Sequence, residues 1–143
     1  MTAAPRIPIF RRERTVAPRD VDLLGHVNNV VWVRFVVELA SAHANALGAG
    51  FEATRERGGI WIVRRHDVVY HANVASGATI QETTWLSSLR GALSLRHSRF
   101  ESAEGKRLVD ATTEWAYVDA KTLRPRRVPL ELRERFDPVA DAG

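Results

Sequence analysis

The sequence predicts an α+β domain in which a five-stranded antiparallel sheet wraps around one long buried helix. Three observations lead there. Residues 29 to 47, NVVWVRFVVELASAHANAL, form one long apolar run with a narrow polar stripe, bounded by Gly25 before it and by Gly48 and Gly50 after it. From residue 60 onward the texture changes to short β-rich runs broken by turn residues. The chain has 143 residues, 45% of them hydrophobic and 27% charged. That is enough for one core and too little for two, so residues 1 to 143 are read as a single domain.

The elements follow in order. Ile7, Ile9 and Phe10 lead into a first strand near residues 10 to 17. In the helix, Val30, Val31, Trp32, Val33, Phe35, Val36, Val37, Leu39 and Ala40 cover nearly the whole circumference, which predicts burial on all sides. Arg34, Glu38, Ser41 and Asn45, spaced by four and three, supply its one polar stripe. Four more strands are expected at 60 to 70, 79 to 87, 92 to 100 and 107 to 119. In the last, Val109, Ala111, Thr113, Trp115 and Tyr117 alternate with Asp110, Thr112, Glu114 and Ala116, the pattern of an antiparallel strand with one covered face. Ala75-Ser76-Gly77 and Glu104-Gly105 supply turns, Pro125 and Pro129 close the sheet region, and residues 130 to 136 read as a short terminal helix. A sheet that does not close leaves an edge strand free to pair with a second copy, so a homodimer or homotetramer is expected.

Composition narrows the chemistry. With no cysteine there is no disulfide, no thiolate metal site and no thiol nucleophile, and a reducing, cytoplasmic setting is expected. No apolar run approaches the roughly 20 residues that span a bilayer. Residues 1 to 14 hold four arginines and no apolar secretory core, so neither membrane nor secretion is expected. The net charge is +4, and of 21 basic residues only Lys106 and Lys121 are lysines. Arginine suits bidentate contact with phosphate or carboxylate. The aromatic residues fall in apolar patterns rather than interleaving with arginines on a stacking face, so no nucleic-acid partner is expected.

Several sites are absent from the sequence. There is no G-x-S-x-G elbow, no phosphate loop and no H-E-x-x-H. His66 and His71, five apart on a strand, point to opposite faces. The stretch from Asp20 begins like a calcium loop, but Leu24 and Val31 stand where ligands are required. No metal and no resident cofactor are expected.

The informative segment is DVDLLGHVNNVVWV, residues 20 to 33. It crowds two carboxylates, a glycine, a histidine and two asparagines against the start of the apolar helix. Two readings stand. In one, Asn28 or Asn29 caps the helix, Gly25 makes a turn and Asp22 complements the positive end of the helix dipole. In the other, unspent N–H groups at the helix start hold a developing oxyanion, and a carboxylate just upstream attacks a carbonyl or activates water. If the segment is extended, Asp20 shares a face with Asp22 and their repulsion raises one pKa.

The D-x-D-x-x-G-H-V-N-N string, WIVRRHDVVY at residues 61 to 70 and TLRPRRVP at 122 to 129 resemble the hotdog-fold acyl-CoA thioesterases of the 4-hydroxybenzoyl-CoA thioesterase type. They also resemble the related acyl-acyl-carrier-protein thioesterases, over residues 8 to 137. The resemblance implies an enzyme that hydrolyses an acyl thioester to a carboxylic acid and free coenzyme A, with coenzyme A as part of the substrate. The alternative is a hotdog protein that binds or senses acyl thioesters without turnover. The resemblance also implies that Asp22 is the catalytic nucleophile or general base. Backbone N–H groups near Asn28 and Asn29 would form the oxyanion hole, with His26 and Asn28 orienting the site. Gly25, Trp32, Trp61, Arg64, Arg90 and Arg96 are the candidate substrate-binding residues. The tryptophans, with Phe35 and Ile62, would line an acyl tunnel, and either Arg90, Arg96 and Arg99 or Arg124, Arg126 and Arg127 would hold coenzyme A phosphates; core packing and solvated surface are the structural readings of the same residues. Two positions depart from the pattern: Trp32 stands where the family often has tyrosine, and Leu24 where plant-type members have asparagine. Glu38 is a rival acid on the helix, and pairing with Arg34 is its structural reading.

Overall fold

The computed structural model describes residues 5 to 139, so the two ends of the domain expected over 1 to 143 lie outside the described residues. The chain runs β1 (Ile9–Thr15), a 3-10 turn (Pro18–Asp20), α1 (Asn29–Ala46), α2 (Phe51–Glu56), β2 (Gly59–Tyr70), β3 (Thr79–Arg90), β4 (Leu93–Ser102), β5 (Arg107–Asp119) and α3 (Leu130–Phe136). The strands form one antiparallel sheet in the order β1-β3-β4-β5-β2. This is the expected α+β architecture, with β1 and β2 as edges. The turns at Gly77 and Gly105 fall where the sequence places them, both at positive φ.

α1 starts where the sequence indicates. The Asn28 side chain caps it by accepting the Val30 N–H at 2.9 Å. Trp32, Phe35, Val36, Leu39, Ala40 and His43, spaced by three and four, are buried against the sheet. Trp32 meets Phe35 and Phe100 edge-on at 5.6 Å, within a core that includes Ile80 and Val109. A second core, under α3, gathers Leu47, Leu86, Tyr117, Leu132 and Phe136.

The expected burial of α1 on all sides does not hold in one chain. Val30 is 70% exposed, and Val33 and Val37 on the same side are only half-buried. A single sheet covers one face of a helix, so this second apolar side waits for another cover. Two further corrections are local. α2 was not expected, because six residues are too few to display a helical period. A bulge between Val63 and Arg65 breaks the alternation of β2, so Arg64 and Arg65 are both exposed instead of dividing between the two faces.

Candidate active site

The DVDLLGHVNN segment folds into a tight loop tied at both ends. Val21 and Val27 bridge across it. The Asp22 N–H donates to the His26 carbonyl at 2.9 Å, and Gly25, at φ +79°, turns the chain between them. That φ lies in the left-handed region, which glycine adopts without a Cβ clash. The Asp22 carboxylate is exposed and accepts the N–H groups of Leu24 at 2.9 Å and His26 at 3.3 Å. It therefore organises its own loop instead of sitting on the helix dipole.

Asp20 behaves differently from its expectation. The 3-10 turn buries it and points it away from an extended strand geometry. Burial alone would raise its pKa, but the Ala17 N–H and the Arg34 guanidinium hold the carboxyl below its usual range. It is thus a structural anchor. Its carbonyl also accepts the Asn28 N–H at 3.1 Å.

That last bond sharpens the oxyanion reading. The Asn28 N–H is spent on Asp20, and the N–H of Val30 is spent on the Asn28 side chain. Val31 and Trp32 donate to the Asn28 carbonyl. Among the described residues, the Asn29 N–H has no such acceptor, so it is the donor left at the helix start. Two residues that the sequence did not single out fix this corner. The Tyr70 hydroxyl donates to the Asn29 carbonyl at 2.9 Å. Asn73 clamps Val27 with its amide, accepting the N–H at 3.1 Å and donating to the carbonyl at 3.0 Å. Both lie more than 40 positions downstream, and only the sheet brings them back.

The remaining candidates do not gather at the loop. His26 is exposed beside Asp22 and joins it through backbone bonds. Trp32 is 1% exposed and belongs to the core, which overturns its place in an acyl tunnel. Arg64 pairs with Glu114 at 3.4 Å on the sheet surface. Arg90 is exposed at the end of β3. Arg96, expected near coenzyme A phosphates, is instead only 4% exposed and faces α1. Glu38 meets Arg14 of β1 at 3.0 Å and Arg34 only at 3.9 Å, so a strand supplies its main partner. Ion pairing also absorbs Arg12, Arg57 and Arg99, leaving less free positive charge than the composition suggests.

Trp61 and Arg96 come together at a pocket of about 320 Å³. It lies between the C-terminal half of α1, α2 and the strands, and Ala40, Ala44, Phe51, Leu86, Trp115 and Phe136 also line it. The pocket and the Asp22 loop stand at opposite ends of α1, about 22 Å apart at 1.5 Å per residue between Asn29 and Ala44. Among the described residues no cluster of His, Asp or Glu is arranged to hold a metal, and no helix is long and apolar enough to cross a membrane.

Comparison with known proteins places this geometry. Residues 8–136 match the family model of the acyl-ACP thioesterase N-terminal domain. The chain is 32% identical over 136 residues to the chloroplastic acyl-[acyl-carrier-protein] hydrolase FATB3 of Cuphea viscosissima, covering 90% of this chain and 33% of that protein. It thus spans about a third of that relative's length. Among solved structures, an acyl-ACP thioesterase from Bacteroides thetaiotaomicron superposes with a TM-score of 0.85 at 19% identity, over 95% of this chain and 55% of that one. A 1,4-dihydroxy-2-naphthoyl-CoA thioesterase from Synechocystis gives 0.83 at 14% identity, over 90% and 96%. These likenesses show the hotdog fold. Of the two branches that the motifs resemble, the family match falls on the carrier-protein one. The chain belongs to the acyl-ACP thioesterase N-terminal domain family.

Proposed function

We propose that the protein hydrolyses an acyl thioester at the Asp22 loop. One observation carries this reading: an exposed carboxylate, held in a turn by its own loop, adjoins a helix start whose Asn29 N–H is unspent. Asp22 either attacks the thioester carbonyl carbon and expels the thiolate, leaving a mixed anhydride that water cleaves to the carboxylic acid and free Asp22, or takes a proton from a water that attacks the carbonyl directly. Both routes build negative charge on the carbonyl oxygen, and the Asn29 N–H, at the positive end of α1, meets it.

The acyl group needs a pocket, and the pocket of the same chain is at the far end of α1. A two-fold axis at the open β2 edge resolves this. β2 runs back along α1, from Trp61 by the pocket to Tyr70 by the Asp22 loop. Pairing two β2 edges antiparallel sets each Tyr70 end beside the other copy's Trp61 end. Each Asp22 loop then lies near the partner's pocket, and the side of α1 bearing Val30, Val33 and Val37 gains its cover. The working unit of this reading is a homodimer with two composite sites.

The thiol carrier is coenzyme A or acyl carrier protein, and the family favours the second. The test is release of free thiol from octanoyl-CoA and from octanoyl-carrier protein, against a buffer control. Release above the control from at least one is expected. Saturable binding without release would replace this reading by the non-catalytic binder.

A further inference from the structure

Residues 93 to 98 of β4 alternate against the usual rule. Ser94, Arg96 and Ser98 are buried, whereas Leu93 and Leu95 on the other face are more exposed. A central strand that turns its polar residues inward departs from binary patterning, and such departures collect at functional positions. Ser94 and Arg96 both line the pocket.

The surroundings of Arg96 make the departure sharper. Nη1 donates to His43 Nδ1 at 2.9 Å and to Thr84 Oγ1 at 3.0 Å. His43 is neutral: burial and the adjacent guanidinium push its pKa down to about 4, and its Nε2–H donates to the Ile7 carbonyl at 2.6 Å. The other close neighbour is the Phe136 ring, whose centroid lies 5.7 Å from the guanidinium carbon. Among the described residues no carboxylate pairs with Arg96, Nε is buried with no acceptor, and no hydrogen bond uses Nη2. Burial lowers the guanidinium pKa to about 9, which leaves it charged at neutral pH. A buried cation without an anion is expensive, and folds ordinarily pair it or dispense with it. Two more donors in the pocket wall, Trp61 Nε1 and Trp115 Nε1, are likewise buried without acceptors. Together with Arg96 Nε they make three buried N–H donors without acceptors among the residues that line the pocket.

We propose that this pocket takes the distal end of an acyl group bearing a carboxylate there, with Arg96 as its counter-ion. The substrate class is then the half-thioester of a dicarboxylic acid. This rests on the thioesterase reading above for the chemistry, but the binding of the distal carboxylate is independent of it. At about 30 Å³ per non-hydrogen atom, the share of a water in the liquid, the pocket accommodates about ten atoms, a medium-length chain with its carboxylate. The apolar lining of Ala40, Ala44, Leu86 and Phe136 serves the methylenes, and Arg96 at the sheet side serves the end.

The test compares suberyl-CoA with octanoyl-CoA, which share chain length and differ in the terminal carboxylate. A kcat/KM ratio of about tenfold or more in favour of suberyl-CoA is expected, as one charge-assisted contact supplies. Arg96→Met should bring the ratio toward one, with most of the change in KM for suberyl-CoA. A purely structural Arg96 would instead lower both substrates alike. In parallel, octanedioate and the neutral octanamide are titrated against the wild-type protein by calorimetry, which needs neither turnover nor a folded variant. Tighter binding of octanedioate supports the proposal even if neither thioester is cleaved, and in that case only the thioesterase reading fails. Equal binding of octanedioate and octanamide, or a preference for octanoyl-CoA, overturns the proposal while leaving hydrolysis at Asp22 intact.

Discussion

His43 gives the protein a pH-dependent stability whose size can be worked out. The ring is fully buried on α1, with its Nε2–H on the Ile7 carbonyl, its Nδ1 accepting from Arg96, and Phe10 stacked on it at 5.4 Å. Burial first, and the Arg96 charge second, push its pKa from 6.5 down to about 4. In the unfolded chain it returns to about 6.5. Between those values the unfolded state binds a proton that the folded state refuses. The stabilisation is therefore full above the unfolded value and is lost as pH falls toward the folded one. At 1.36 kcal/mol per unit the loss amounts to roughly 3 kcal/mol. The assay is urea unfolding at fixed protein concentration from about pH 7.5 to about pH 4.5, for the wild type and His43→Gln, which keeps a polar side chain there without the titration. The wild type should lose up to about 1.4 kcal/mol per pH unit more than the variant below pH 6. Parallel pH slopes in the two proteins would mean that the ring titrates alike in both states and contributes no pH-dependent stability.

Asp20→Asn removes a buried carboxylate from the Ala17 N–H and from Arg34. Because Arg34 is 45% exposed and can rehydrate, the loss should be modest, about 1–2 kcal/mol at neutral pH. The folded pKa is depressed, so this contribution is present above 3.8 and vanishes as pH falls through the folded value; a deficit that persists undiminished in acid would contradict it. Gly59→Ala places a Cβ 2.2 Å from the Tyr117 hydroxyl and ring, inside a buried contact between β2 and β5. Destabilisation of about 1–3 kcal/mol in urea unfolding is expected, and a neutral substitution would show that this contact yields freely. Sedimentation velocity should give a species of at least twice the 16.0 kDa chain mass, whereas a stable monomer at micromolar concentration would remove the composite site.

Much of this fold was legible in the sequence, for identifiable physical reasons. The period of the apolar residues marks α1, and Asn28 marks its start, because an apolar stripe and a cap are local properties. The alternation in 107 to 119 marks β5 for the same reason. Arg96 was not legible, because serines and an arginine alternating with leucines read as an outward face. What reverses them is the neutral hydrogen-bonding wall of His43 and Thr84, contributed by other elements. Tyr70 and Asn73 escaped notice for a related reason: their partners, Asn29 and Val27, are neighbours only through the sheet. The Asp22 loop was legible as a concentration of polar residues. That its free N–H belongs to Asn29 and not to Asn28 depends on the Asp20 carbonyl, a bond between two turns that no spacing reveals.

Thioester hydrolysis is proposed to rest on the Asp22 carboxylate. Asp22→Asn retains an oxygen for the Leu24 and His26 N–H groups, so the loop should survive while the charge is lost. The decisive measurement is kcat for thiol release by this variant on the best wild-type substrate, with unfolding and sedimentation recorded on the same preparation. A fall of about 100-fold or more, in a variant whose fold and oligomeric state match the wild type, is the predicted result. An unchanged kcat in such a variant would contradict the assignment and move the reaction away from this loop.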